Sequence, residues 1–255
     1  MVQGDKFTTI HRGITMMNRL FLILCIFSYA VACAVTGCVG TKYSAPVPAH
    51  HAEGQRERML ELIDPYPGEF RLSQHIIMKA SNKEYDFLGY LVVKRKKGFR
   101  ALAFGEMGGR VFDLIERDGK REIAAKPGAM PSNPLLDGVM GDINHLYDTG
   151  EFEDAYPSMK EGSAFSLVMR KGVNRFSEYV FSDNGDLMAS MEVVDGRLVR
   201  SANYSDYKSY SGWERPLPSR IILINHRWHY ELRIELLKMD TGPVDEEMFF
   251  DSKNE

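Results

Sequence analysis

The sequence predicts a mainly β protein: a large curved antiparallel sheet, in effect a half-open barrel of about eleven strands, covered by short helices. Three observations lead there. From Phe70 onward, apolar and polar residues alternate with a period of two, as in a strand with one buried face. Glycine-bearing pairs, Asp118-Gly119, Lys171-Gly172, Asn184-Gly185 and Asp195-Gly196, punctuate that alternation where hairpins need turns. The regular exchange of strand and helix that a parallel sheet requires is missing.

The first strand follows from Phe70, Leu72, Gln74, Ile76 and Met78 alternating with Arg71, Ser73, His75, Ile77 and Lys79. Further strands are expected over 85–95, 99–105, 110–117 and 120–126. Residues 126–156 break the rhythm, because Leu135, Leu136, Val139, Met140, Ile143 and Leu146 recur at helical spacing after Pro134; a helix is expected over 134–148. Strands resume at 163–170, 175–181, 187–194 and 198–207. In the last part, Ile222, Ile224, Trp228, Tyr230, Leu232, Ile234 and Leu236 share parity against Asn225, Arg227, His229, Glu231, Arg233 and Glu235. A short helix over 55–63, stopped by Asp64-Pro65, precedes the sheet.

The N-terminus has a different logic. Residues 20–36 carry no charge and follow Lys6, Arg12 and Arg19, the basic-then-apolar order of a secretory signal. The stretch ends in Val35-Thr36-Gly37-Cys38, where two small residues admit a peptidase and the thiol is a nucleophile able to carry a diacylglycerol. This resembles the bacterial lipobox, and the resemblance implies cleavage before Cys38 and a lipid anchor on it, palmitate included. Residues 1–37 are thus expected to be a signal peptide, with 1–15 an upstream extension of a start at Met16 or Met17. Residues 38–54 read as a tether and 55–255 as the folded domain. A retained membrane span is the alternative to cleavage. Val39, where an Asp would favour the inner membrane, points to the periplasmic face of the outer membrane. Cys25 and Cys33 leave with the signal, so no disulfide is expected.

Formal net charge is −3 and becomes more negative once the basic leader is removed, which argues against nucleic acid as a partner. A sheet this large cannot fill its own interior unless it closes tightly, so apolar volume is expected inside it. Phe70, Leu72, Met78, Phe104 and Phe112 are expected to line that cavity from the first half of the chain. Met169, Met191 (with Met188 or its neighbours), Trp228, Tyr230 and Leu232 are expected to line it from the second. Flexible, polarizable methionines suit an adaptable lining for acyl chains.

The order of short helix, meander, mid-chain helix, second meander and Leu217-Pro218-Ser219-Arg220-Ile221, together with residues 99–114 (FRALAFGEMGGRVFDL) and 217–249, resembles the lipoprotein-localization family of LolA and LolB. The anchor on Cys38 places the chain nearer to LolB. The resemblance implies a half-open barrel that binds acyl chains of a lipid or lipoprotein cargo and aids transfer or insertion without catalysis. It also implies a membrane-contacting hairpin, here residues 105–109 with Met107 at the tip. The alternative is a structural or sensory module with a periplasmic protein partner.

No Gly-x-Ser-x-Gly elbow, phosphate loop or His-Glu-x-x-His is present, so no catalytic residue, cofactor or metal site is assigned. His226 and His229, three apart on an expected strand, point to opposite faces. His50 and His51 in the tether and the acids Asp240, Asp245, Glu246 and Glu247 read as solvated. Arg100, Arg110 and Arg175 are noted because an arginine beside a greasy cavity can hold a lid.

Overall fold

The computed structural model describes residues 42–46, 66–125, 133–147, 155–159, 165–245 and 247. The expected signal peptide, Cys38, most of the tether and the helix at 55–63 lie outside them. Twelve strands form one antiparallel sheet: β1 (Glu69–Ala80), β2 (Lys83–Lys94), β3 (Gly98–Phe104), β4 (Arg110–Arg117), β5 (Lys120–Ala125), β6 (Ala155–Met159), β7 (Phe165–Arg170), β8 (Arg175–Phe181), β9 (Leu187–Val194), β10 (Arg197–Lys208), β11 (Leu217–Asn225) and β12 (Tyr230–Thr241). Among the described residues there is one helix, α1 (Asn133–Tyr147), between β5 and β6 in the chain.

The spatial order is β5-β4-β3-β2-β1-β12-β11-β10-β9-β8-β7-β6, so the sheet is two meanders joined at its centre by β1 and β12. The first runs outward from β1 to one edge. The chain then reappears at the opposite edge and returns strand by strand to the centre. Every pairing except β1–β12 is between sequence neighbours, which is why local alternation and turn chemistry predict most of the sheet.

One face of the sheet packs on α1. The main core joins Phe70, Leu72, Leu91, Ala103 and Leu114 of the first meander with Leu217, Ile221 and Leu223 of the second, against Leu136 and Met140 of the helix. A smaller cluster on the same face holds Leu167, Met169, Tyr179 and Phe181. Burying one large apolar side chain is worth about 1.5–3 kcal/mol, so the helix is held by packing before any polar contact is counted.

Three expectations change. Among the described residues the strands number twelve, against about eleven expected. One strand without a forecast is β6, inside the stretch read as a break in the rhythm; Pro157 suits an edge strand, which does not need every N–H for a ladder. The single alternation expected over 222–236 is two strands, β11 and β12, joined by a turn over 226–229. Because Asn225 pairs with Tyr230, parity flips across that turn. Ile221, Leu223 and Asn225 share the helix-facing side with Tyr230, Leu232 and Ile234, while Ile222 and Ile224 face away. His226 and His229 therefore sit in the turn and not on a strand; His226 Nε2 lies 3.0 Å from the Ser201 hydroxyl.

Candidate functional site

Between α1 and the sheet lies a cavity of about 50 Å³. Val139, Ile143 and Leu146 form its helix wall; Ile76, Met78, Phe87, Ala101, Phe112, Leu232 and Ile234 are among the sheet residues around it. The register explains the convergence: Ile76 stands opposite both Phe87 and Ile234, and Met78 opposite Leu232, so three central strands turn these side chains to one side. Gly89 belongs to the same face, where a Cβ would come within 2.6 Å of Ile76 Cδ1.

The structure brings Met78, Phe112 and Leu232 of the expected lining to this cavity. Phe70 and Leu72 are in the closed core beyond it, and Met169 is in the smaller cluster. Phe104 stands opposite Leu88 and edge-to-face with Tyr90, on the side away from the helix. Met191 stands opposite Glu178 and packs with Val168, Phe176 and Val193 on that same outer side, and Met188 is exposed. Trp228 sits in the β11–β12 turn, about a third exposed, against Gly138 of the helix. Tyr230 is buried but serves a polar cluster. The parity flip at residues 226–229 and the outward-facing rows of β3 and β9 account for these placements.

Met107 is fully exposed at the tip of the β3–β4 hairpin. That turn is closed by Gly105 N–H donating to the Gly109 carbonyl at 3.0 Å and Gly108 N–H donating to the Gly105 carbonyl at 2.8 Å. Gly108 adopts φ +76°, a conformation suited to glycine.

What sequence reasoning missed is how α1 is latched. Asp142 is 1% exposed, and three donors converge on its carboxylate. Asn225 Nδ2 donates to Oδ1 at 2.9 Å, the Tyr230 hydroxyl donates to Oδ2, and Arg200 Nε lies 3.0 Å from Oδ1. The Arg200 contact is ionic, since its Nε–H is not aligned for a hydrogen bond. Arg200 also pairs through Nη1 with Glu192, whose other oxygen is held by Arg175 at 2.5 Å. One turn further along the helix, His145 Nε2 is 2.9 Å from the Ser190 hydroxyl, itself 2.9 Å from the Tyr204 hydroxyl. At the end of the helix, Gln74 Nε2 donates to the Tyr147 hydroxyl at 2.5 Å.

Of the three arginines noted from the sequence, Arg175 belongs to this cluster at one remove. Arg100 and Arg110 do not: both engage Asp113, with Arg100 at 3.0 and 2.7 Å, and Arg100 stands opposite Val92 on the outer face. A usable signal did exist. Gly138 and Gly141 cost about 1 kcal/mol each in a helix interior, and the structure shows why they stand there. A Cβ on Gly138 would lie 2.5 Å from Trp228 Cδ1, and one on Gly141 2.9 Å from Arg200 Nη2. Two glycines and a buried acid on one stripe mark where the helix approaches a polar wall.

Burial dominates the titration of the latch. It pushes Asp142 up to about 6, with Arg200 and the two neutral donors opposing it. It pushes His145 down to about 3, helped by Arg200, so the ring is neutral. The two act oppositely on stability. A histidine with a lowered pKa binds fewer protons folded than unfolded, so its contribution is lost as pH falls below 6.5. An acid with a raised pKa takes up its proton first in the folded state, so acidification from about 6 toward 3.8 adds stability. His145→Gln, which keeps a donor for Ser190, is therefore expected to gain Tm relative to the parent chain between pH 7 and pH 5. Calorimetry of both at the two pH values checks this; an unchanged difference would show that His145 does not titrate as its burial requires.

No protein-family model and no curated protein sequence matches the chain. Solved structures do. A LolA superfamily protein from Nitrosomonas europaea superposes with a TM-score of 0.57 at 15% identity, covering 76% of this chain and 96% of that one. A DUF1329 family protein from Desulfovibrio piger superposes with a TM-score of 0.52 at 13% identity, covering 80% and 98%. At these identities the likeness concerns the fold alone: the sheet with its helix superposes on both structures.

Proposed function

We propose that this protein is a noncatalytic, lipid-anchored protein of the bacterial envelope that binds the acyl chain of a lipid or lipoprotein cargo between α1 and the sheet. The observation that carries the reading is an apolar cavity whose one helical wall is secured by a removable set of polar contacts. At about 50 Å³ the space is far below the roughly 300–1,000 Å³ of a ligand pocket. In this reading the structure is the closed form, and cargo enters as α1 moves off the sheet. Val139, Ile143 and Leu146 would then exchange contacts with Ile76, Phe87 and Ile234 for contacts with the chain of the cargo. Apolar surface is buried in both forms, so the apolar part of the exchange is close to balanced, and the polar contacts of Asp142 are what opening gives up.

The same reading includes delivery. In it Cys38 carries the anchor and the exposed Met107 offers an apolar side chain to a bilayer at the periplasmic face of the outer membrane; of the expected tether, residues 42–46 are docked on the domain instead of giving reach, with Tyr43 N–H donating to the Gly196 carbonyl at 2.9 Å and the Tyr156 hydroxyl donating to the Pro46 carbonyl at 3.1 Å. Inserting Met107 would gain at most about 1.5–3 kcal/mol, with the neighbouring Glu106 opposing.

The test is saturable uptake of a fluorescent fatty acid by the full chain, with mass spectrometry of lipid extracted from the purified protein. Ala101, on the cavity wall opposite Leu91 in register, supplies the control. Ala101→Leu fills the space at an overpacking cost of about 1–3 kcal/mol and is expected to weaken uptake about tenfold, equivalent to about 1.4 kcal/mol. Absence of extracted lipid together with no uptake by the parent chain would sink the reading.

A further inference from the structure

The Asp142 cluster has the make-up of a carboxylate-binding site with a carboxylate already in it. A guanidinium, a phenol and a side-chain amide converge on one anionic group. All three donors belong to the sheet: Arg200 to β10, Asn225 to β11 and Tyr230 to β12. The register puts them side by side, Arg200 opposite Asn225 and Asn225 opposite Tyr230. The carboxylate, by contrast, is on α1, the element that the acyl-binding reading moves off the sheet. Asp142 also contributes to the cavity wall beside Ile143 and Leu146, so the donors adjoin the apolar space.

Charge completes the argument. In the closed form Arg175 and Arg200 face Glu192 and Asp142, a balanced set. When α1 withdraws, Asp142 goes with it and Glu192 stays, one carboxylate shared between Arg175 and Arg200. Arg200 is left short of one negative charge and the Tyr230 hydroxyl short of its acceptor, while Asn225 Nδ2 keeps only its 3.2 Å contact to that hydroxyl. Uncompensated groups of this kind at a buried wall are costly, so the open form favours a ligand that brings one anionic group to that place. The smallness of the adjoining space favours a single tail.

We propose that Arg200, Asn225 and Tyr230 form a headgroup seat for the carboxylate of a single-chain fatty acid, and that Asp142 is an internal stand-in which occupies the seat until that ligand displaces it. This rests on the acyl-binding reading above and narrows it to an anionic amphiphile. Neutral acyl chains, as in a lipoprotein's diacylglycerol, would use the cavity but leave the seat unfilled.

The test compares cis-parinaric acid with its methyl ester, two fluorescent probes with the same tail and different charge, titrated into the full chain at pH 8. The acid is expected to bind about tenfold tighter than the ester, as a charge-assisted set of hydrogen bonds allows. Asp142→Asn removes the competing carboxylate and is expected to raise the acid-to-ester ratio further. The charge-balanced double variant Asp142→Asn with Arg200→Gln is expected to bring the ratio to about one. Equal binding of acid and ester by the parent chain overturns the seat and leaves the acyl reading standing. Binding of neither overturns both. Should hexadecyl phosphate displace the probe where hexadecanoate does not, the carboxylate assignment is wrong. Circular dichroism checks that the variants fold, and the parent chain's own acid-to-ester ratio decides the matter if they do not.

Discussion

Arg200→Met is expected to lower the stability of the protein by about 3–5 kcal/mol, the range for removing one member of a buried ion pair. The Arg200 side chain is 11% exposed and stands between two buried carboxylates. Methionine fills much of the same volume, so the loss is electrostatic more than steric. Glu192 keeps Arg175, but Asp142 loses its only ionic partner among the described residues and retains Asn225 and Tyr230. Its pKa, already raised to about 6 by burial, must rise further. The defect is therefore largest near pH 8, where ionised Asp142 is stranded, and shrinks toward pH 5, where it is protonated. Urea midpoints at both pH values test this, and Asp142→Asn in the same background is expected to recover part of the loss. A defect independent of pH would mean that Arg200 acts by packing alone.

Gly98→Ala is the second large effect, expected to cost about 2–5 kcal/mol from backbone strain and overpacking together. Gly98 opens β3 with φ +142°, and a Cβ there would lie 1.8 Å from the Glu116 carbonyl oxygen. The obstacle is main chain on the neighbouring strand, so no rotamer change relieves it. Relief requires separating β3 from β4 at the Gly98–Arg117 pair, and with them Phe99, Ala101 and Leu114 in the core. Gly119→Ala is the control: φ is also positive, at +73°, but nothing lies within 4 Å of the added Cβ. Its cost should be limited to the conformational penalty of about 1 kcal/mol. Urea or thermal unfolding of the two variants separates clash from conformation; similar losses would show that the close approach is not rigid.

Much of the architecture is legible because strands announce themselves through neighbours. The alternation of β1, the turns at Gly119, Gly172, Gly185 and Gly196, and the helical spacing of Leu135 to Leu146 are short-range signals, and the corresponding elements are present. The failures are equally physical. Reading 222–236 as one alternation missed the turn at 226–229, and the resulting parity error misplaced Trp228 and left Asn225 off the inner face. Phe104 and Met191 are as apolar as any inward residue, but register turns them outward, where partners such as Tyr90 and Phe176 half-cover them. Hydropathy does not distinguish a buried outer face from an inner one.

By itself, then, the sequence determined the mainly β class, the hairpins, the helix between two meanders and the exposed glycine-flanked Met107. Each follows from steric and solvent preferences acting over a few residues. Only tertiary structure decided that β1 and β12 join the halves, that the cavity between α1 and the sheet is small, and that Asp142 is met by Asn225 and Tyr230 from 83 and 88 residues away. A cavity is the volume that packing leaves over, and a polar latch is a coincidence of distant strands in one register. Neither is a property of any local stretch of chain, so both had to wait for the folded molecule.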